Sequence, residues 1–252
     1  MASPQTPDKG KTDGTRDGAA DREQVHFYPG DKLLLYIVDG EVQLSAEAWG
    51  GPPVREPDEP MDYLTTHAGT FVIDGIMPYS TKTWPRSRIR WGTPIRESRT
   101  RAGKIEYRTP SGGWRPLVVK DEDGSEFTAL KLTERHEKMY GLSSGFPKTW
   151  FLNDFGPKAV RYYEDRNQNR KRDPNEPLKG EMIHTTPKGE AETEHHPQDA
   201  RKLQLTKSHG CIHIRPIDRN DFISAGAFRQ GMTLVIHQYD ESYRPSTRKG
   251  AQ

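Results

Sequence analysis

The apolar positions of this chain fall in short runs separated by polar turns, at the spacing of strands rather than long helices. Leu33 to Val38 form one such run, Asp39-Gly40 break it, and Val42, Leu44, Ala46 and Ala48 then alternate with polar neighbours. Asp-Gly between two such runs predicts a hairpin. "GGPPVREPDEP" (Gly50 to Pro60) predicts a loop, and "AGTFVIDG" (Ala68 to Gly75) a short strand. "KIEYRT" and "WRPLVVK" flank "PSGG" as a second hairpin, and "TWFLNDF" and "KAVRYYED" read as further strands. "GEMIHT" (Gly180 to Thr185) reads as a short buried strand and "GMTLVIHQY" (Gly231 to Tyr239) as a closing one. Two stretches predict helices: "LTERHEKMYG", stopped by Gly141, and "PIDRNDFISAGAF", with Asp218 as N-cap and Phe222, Ile223 and Phe228 at helical spacing. "GEAETEHHPQD" reads as an exposed loop. There is no internal repeat, and many strands with few helices imply a β-rich domain.

The ends are different in texture. Met1 to Glu23 has no aromatic residue and no leucine, isoleucine or valine, too little apolar surface to offset its ordering entropy. The expected organisation is a disordered polar tail over 1–24, one domain over 25–242 and a flexible tail over 243–252. The 252 residues carry 38 basic and 36 acidic side chains, interspersed, so no basic stripe for nucleic acid is expected. No apolar run approaches the roughly 18 residues of a membrane-spanning helix, and the first residues lack the apolar core of a secretory signal. The expectation is either a cytosolic product, a trimmed leader or export by another route.

The single cysteine excludes an internal disulfide and a multi-cysteine zinc site. It stands in "KSHGCIHIRPID" (Lys207 to Asp218), directly after Ser-His-Gly. A cysteine attacks as thiolate and needs a base, and the oxyanion it creates needs donors. Gly210 offers close approach, the amides of Gly210 and Cys211 offer donors, and Ser208 or His209 offers hydrogen bonds. A lone cysteine in a β-rich domain is often an inert buried side chain, and the Ser-His-Gly context is what favours a nucleophile here.

"SHGCIHI", followed by a helix and "GMTLVIH", resembles the active-site segment of the L,D-transpeptidase (YkuD-like) catalytic domain. His67-Ala68-Gly69-Thr70-Phe71 resembles the family's Thr-Pro-x-Gly-Thr-Phe segment without its proline, and "MIHTT" resembles the strand that carries the family's histidine. The resemblance spans Leu33 to His237 with a non-matching middle. It implies a mainly β fold, a β-sandwich or open barrel of mixed sheets with one or two short helices. It implies Cys211 as nucleophile and His184 as general base, with the carbonyl of Thr185 orienting the imidazole. It implies an oxyanion hole at Gly210 and Cys211, and Ser208 and His209 shaping the pocket. His213 stands where the family carries Arg or Asn, which makes Arg215 the substitute candidate for a substrate carboxylate. His195 and His196 lie closer to Ser208 in sequence than His184 does, yet a strand end positions a base better than a loop.

The implied activity is L,D-transpeptidation or L,D-carboxypeptidase trimming of peptidoglycan stem peptides in the periplasm or cell envelope, with no cofactor required. Without a leader, the expected route is delivery by a secretion machine as an antibacterial effector, with an immunity protein as a further partner. The rivals are a non-catalytic cell-wall-binding module of the same fold and an unrelated cysteine peptidase. Asp165, Asn167, Asn169, Asp173 and Glu176 have the 1-3-5-9-12 spacing of a calcium loop, with Arg170 where glycine is usual. The alternative is a polar turn. A zinc cluster of histidines with Cys211 lacks helical His-x-x-x-His spacing. Trp84, Trp91, Trp114 and Trp150 read as core anchors or as the wall of a groove.

Overall fold

Period-two alternation puts every second side chain of a strand on one face, and in this protein those apolar faces close around a common interior. The computed structural model describes residues 22–58, 61–121, 123–141 and 145–245. Its strands are β1 (Glu23–Tyr28), β2 (Leu33–Val38), β3 (Glu41–Trp49), β4 (Gly69–Met77), β5 (Ile95–Glu97), β6 (Ile105–Arg108), β7 (Trp114–Leu117), β8 (Ala159–Tyr163), β9 (Ile183–His184), β10 (Ile212–Ile214) and β11 (Thr233–Ile236). The helices are α1 (Ala129–Tyr140), α2 (Pro187–His195) and α3 (Pro216–Ser224). The fold is mainly β, as the pattern predicts.

Eight strands form a ring in the order β1-β11-β4-β8-β9-β10-β3-β2, closed by antiparallel pairing of β2 with β1. The sheet is mixed, because β1 with β11 and β9 with β10 run parallel. Val25, Phe27, Leu34, Phe71, Ile73, Val160, Tyr162, Ile183, Ile212 and Leu234 fill the interior, and Phe222 of α3 and Phe228 plug it. Closure removes the exposed edges of an open sheet. The Asp39-Gly40 hairpin forms as expected, both residues taking positive φ (51° and 79°).

The non-matching middle of the chain builds a second layer on the outside of the barrel. The three-stranded sheet β5-β6-β7 and α1 share a core of Ile95, Ile105, Leu117, Phe127, Leu132 and Trp150. Helix α1 begins earlier than its apolar pattern because the Thr128 hydroxyl caps the Lys131 N–H at 3.2 Å, and it ends at Gly141 in left-handed geometry (φ 63°).

Several expectations are corrected. "TWFLNDF" is not a strand: Trp150, Phe151, Leu152 and Asn153 are buried in succession, without alternation. The Asn153 amide replaces ladder bonds by donating to the carbonyls of Tyr79 and Ile89, both at 2.8 Å. "GEAETEHHPQD" is largely helical, in α2, which starts where the Thr186 hydroxyl caps the Gly189 N–H with Pro187 in the first turn. The N-cap of α3 is Arg215, and Asp218 lies in its first turn. The ordered chain also runs past both expected edges. Glu23 and Gln24 belong to β1, and the Tyr243 N–H donates to Asp31 at 2.7 Å. Residues 1–21 and 246–252 of the two expected tails lie outside the described residues. Among the described residues no helix is long and apolar enough to cross a membrane.

Candidate active site at Cys211

Alternation along two short strands decides which side chains meet. Ile183, Ile212 and Ile214 point into the barrel, so Met182, His184, Cys211 and His213 share its outer face. The parallel register sets His184 beside His213, with ring centroids 4.8 Å apart and nearly perpendicular. Cys211 precedes His213 by two positions on the same face, one strand over from His184.

His184 is 4 % exposed. Its Nδ1 lies 2.8 Å from the carbonyl oxygen of Thr185, so Nδ1 carries the hydrogen and Nε2 is left as the basic nitrogen. The Thr185 hydroxyl donates to Glu190, which also pairs with the buried Arg219, and this anchors the carbonyl that orients the ring. Gly156 (φ 63°) permits the approach, since a Cβ there would lie 2.2 Å from the Thr185 hydroxyl. His213 is held in the same manner, Nδ1 to the Thr206 carbonyl at 3.0 Å. Burial, then the neighbouring His213, lowers the His184 pKa to about 3 against the pull of the Thr185 bond. Burial likewise lowers that of His213 to about 4.

Cys211 keeps some residue surface, but its sulfur sits deep enough that burial pushes the thiol pKa up to about 12. The Met182 N–H at the sulfur pulls it down, nearby Glu181 pushes it up, and Arg161 opposes Glu181. The resting pair is therefore a neutral thiol beside a neutral imidazole. Gly210 has a φ of 107°, which side chains rarely adopt. Its N–H donates to the Ser208 hydroxyl at 3.1 Å, and that hydroxyl donates to the Cys211 carbonyl. The expected oxyanion role of the Gly210 amide is thus corrected in the resting state: this N–H closes the turn, and Ser208 is the clasp.

Cys211, His184, His209 and His213 line a cleft of about 260 Å³ with Trp84 and Phe155. His209 stacks on Tyr63 at 4.2 Å and meets the edge of Trp84 at 5.3 Å, so it shapes the wall. Trp84 therefore belongs to the groove, while Trp150 is fully buried core. On the flank toward the barrel end, the Glu181 carboxylate accepts from the Tyr162 hydroxyl at 3.3 Å and pairs with the exposed His67. Sequence reasoning missed Glu181 and Arg161. The available signal was position: Arg161 alternates with the core residues Val160 and Tyr162, which puts it on the outer face.

Other candidates lie elsewhere. Arg215 is turned away from the cleft: its guanidinium pairs with Glu47, lies 3.5 Å from Asp218 and donates to the Leu203 carbonyl at 2.7 Å. That expectation is corrected, because its donors and charge are already matched within the fold. His195 and His196 end α2 in a separate cleft of about 810 Å³ between α1 and α2, where His195 approaches Gly141. In the 165–176 loop the oxygens meet the loop's own donors. Asp165 accepts the Arg170 N–H at 2.7 Å, and Asp173 accepts the amides of Asn167 and Asn169 at 2.7 and 3.0 Å. Buried Glu176 accepts the N–H groups of Arg166 and Asp173 at 2.8 and 2.9 Å. Among the described residues no group of three or more His, Cys, Asp or Glu is placed to hold a metal ion.

No protein-family model matches the chain, and no curated protein matches it. Solved structures similar to it include an L,D-transpeptidase from Mycobacterium smegmatis, 14 % identical with a TM-score of 0.33, matched over 86 % of this chain and 58 % of that one. An L,D-transpeptidase from Xylanimonas cellulosilytica is 11 % identical with a TM-score of 0.34, over 85 % of this chain and 60 % of that one. L,D-transpeptidase 1 of Mycobacterium tuberculosis is 16 % identical with a TM-score of 0.31, over 86 % of this chain and 61 % of that one. The chain thus spans less than two thirds of each of these structures.

Proposed function

We propose that the protein is a cysteine-dependent L,D-transpeptidase or L,D-carboxypeptidase acting on peptidoglycan stem peptides. The observation that carries this reading is the placement of His184, its Nδ1 on the Thr185 carbonyl and its strand paired with the one that directly follows Cys211. As substrate enters, His184 Nε2 takes the thiol proton while Sγ bonds to the peptide carbonyl carbon. The proton then passes to the leaving amine as the C–N bond breaks, releasing the terminal D-amino acid and leaving a thioester. An acceptor amine gives a cross-link or an exchanged residue, and water gives a trimmed peptide.

With a neutral resting pair, proton transfer to His184 accompanies Sγ–C bond formation, so no free thiolate has to form in the buried cleft. The rival, a cell-wall-binding module, draws on the burial of Cys211, since a thiol held protonated is an inert one. The test is incubation with tetrapeptide-bearing muropeptides followed by mass spectrometry, beside Cys211→Ala. Loss of the terminal residue with the unsubstituted protein only is the expected result. Unchanged peptide in both samples, with binding retained, would establish the rival.

A further inference from the structure

We propose that Arg161, which stands on the outer face beside the Cys211 cleft rather than in its lining, is the carboxylate-binding residue of the site, holding an anionic group of the acyl donor next to the bond that is attacked. This rests on the reading of Cys211 as a thiol that takes up a peptidyl group.

The strand register carries the placement. Val160 of β8 pairs with Ile183 of β9, which pairs with Ile212 of β10, and all three point into the barrel. One residue further along, Arg161, Met182 and Cys211 fall in one row across the outer face. Arg161 is thus two strand spacings from the nucleophile, about 10 Å between backbones, and an extended arginine covers a good part of that gap. Its guanidinium carbon lies 4.8 Å from the centroid of Tyr79, whose ring packs in the same small cluster as Phe155, Met182 and Cys211. It is close enough for its charge to act on the thiol.

What sets Arg161 apart is a partly buried guanidinium, packed on an aromatic ring, with no carboxylate paired to it. Arg215, Arg219, Arg96 and Arg201 each pair with a carboxylate. Among the described residues Arg161 pairs with none, and its Nε is shielded from solvent without a hydrogen-bond acceptor. A guanidinium held on an aromatic face without a carboxylate is preorganised for a planar oxyanion, which its two terminal nitrogens can grip end-on with two parallel bonds. A single arginine with Glu181 nearby favours a monoanion, hence a carboxylate. In a stem peptide two sources offer that chemistry: the terminal carboxylate of the departing residue, and a side-chain carboxylate on the residue whose carbonyl is attacked. Arg161 takes up the role that the family resemblance suggested for Arg215.

The test begins with the thiol itself, since Cys211 is the only cysteine and its alkylation is read directly by mass. Iodoacetate carries a carboxylate and iodoacetamide does not, so the ratio of their rates cancels the ionisation of the thiol. Arg161→Met, which keeps an apolar stem on Tyr79, is expected to lower the iodoacetate-to-iodoacetamide ratio by about tenfold, and Arg161→Lys by less. Thermal melts identify a variant that fails to fold, and the lysine variant then supplies the comparison. An unchanged ratio in folded variants overturns the proposal. The source follows from tetrapeptides amidated at the terminal or the side-chain carboxylate: the amidation that raises KM in the unsubstituted protein, and has no further effect in Arg161→Met, marks the group held. If no peptide is turned over while the alkylation ratio still falls tenfold, the anion site stands and the transpeptidase reading fails.

Discussion

The chemistry of the site depends on two carbonyl groups that choose a tautomer. His184 and His213 each direct Nδ1 to a backbone oxygen, which leaves Nε2 as the basic nitrogen of both rings. His184 is the one whose carbonyl belongs to an anchored residue, through Glu190 and Arg219. His184→Ala is therefore expected to lower turnover by two or more orders of magnitude, as loss of a general base does. His195→Ala and His196→Ala, in the other cleft, should leave it within twofold. The reverse pattern in a muropeptide assay would move the base to α2. At this scale the turn that joins Ser208, Gly210 and Cys211 involves only local contacts, whereas His184 and Thr185 were pointed to by the family resemblance alone. The sequence was misleading about Arg215, whose partner Glu47 is distant along the chain and invisible to a reading of spacing.

Elements decide how firmly those residues are held. Strand β9 is two residues long and cannot position His184 alone, so it relies on β10, the α2 cap and the layer packed outside the barrel. Trp150 is the largest fully buried side chain of that layer, and its indole N–H donates to the Arg86 carbonyl at 2.8 Å. It also begins the segment that delivers Asp154 and Phe155 to the cleft. Trp150→Ala is expected to cost about 3–5 kcal/mol in urea denaturation, and Trp114→Ala, on a partly exposed ring, less than 1 kcal/mol. Equal effects would show that the layer contributes little to stability. Helix α2 escaped the sequence pattern because only Gly189 and Ala191 are buried. A helix held by its cap and by ion pairs leaves almost no apolar period to find.

Across the whole molecule, the buried histidines set the response to acid. Folded His184 stays neutral down to about pH 3, while an unfolded histidine takes up a proton near pH 6.5. Between those values the unfolded chain binds the extra proton. The stabilisation is complete above pH 6.5 and falls by about 1.4 kcal/mol per pH unit as the pH drops. His213, lowered to about 4, acts in the same direction. Urea midpoints should therefore fall between pH 7 and 5, with a shallower fall in His184→Gln. An unchanged slope in that variant would mean that the folded histidine titrates normally. What the sequence by itself determined was local: the alternation that makes strands, the Asp-Gly turn and the helix stop at Gly141. Each follows from forces acting within a few residues. Tertiary structure decided which strands are neighbours, and with that the row joining Arg161 to Cys211 and the pairing of His184 with His213. Those contacts depend on the register of strands far apart in sequence, and register is set only when the barrel closes.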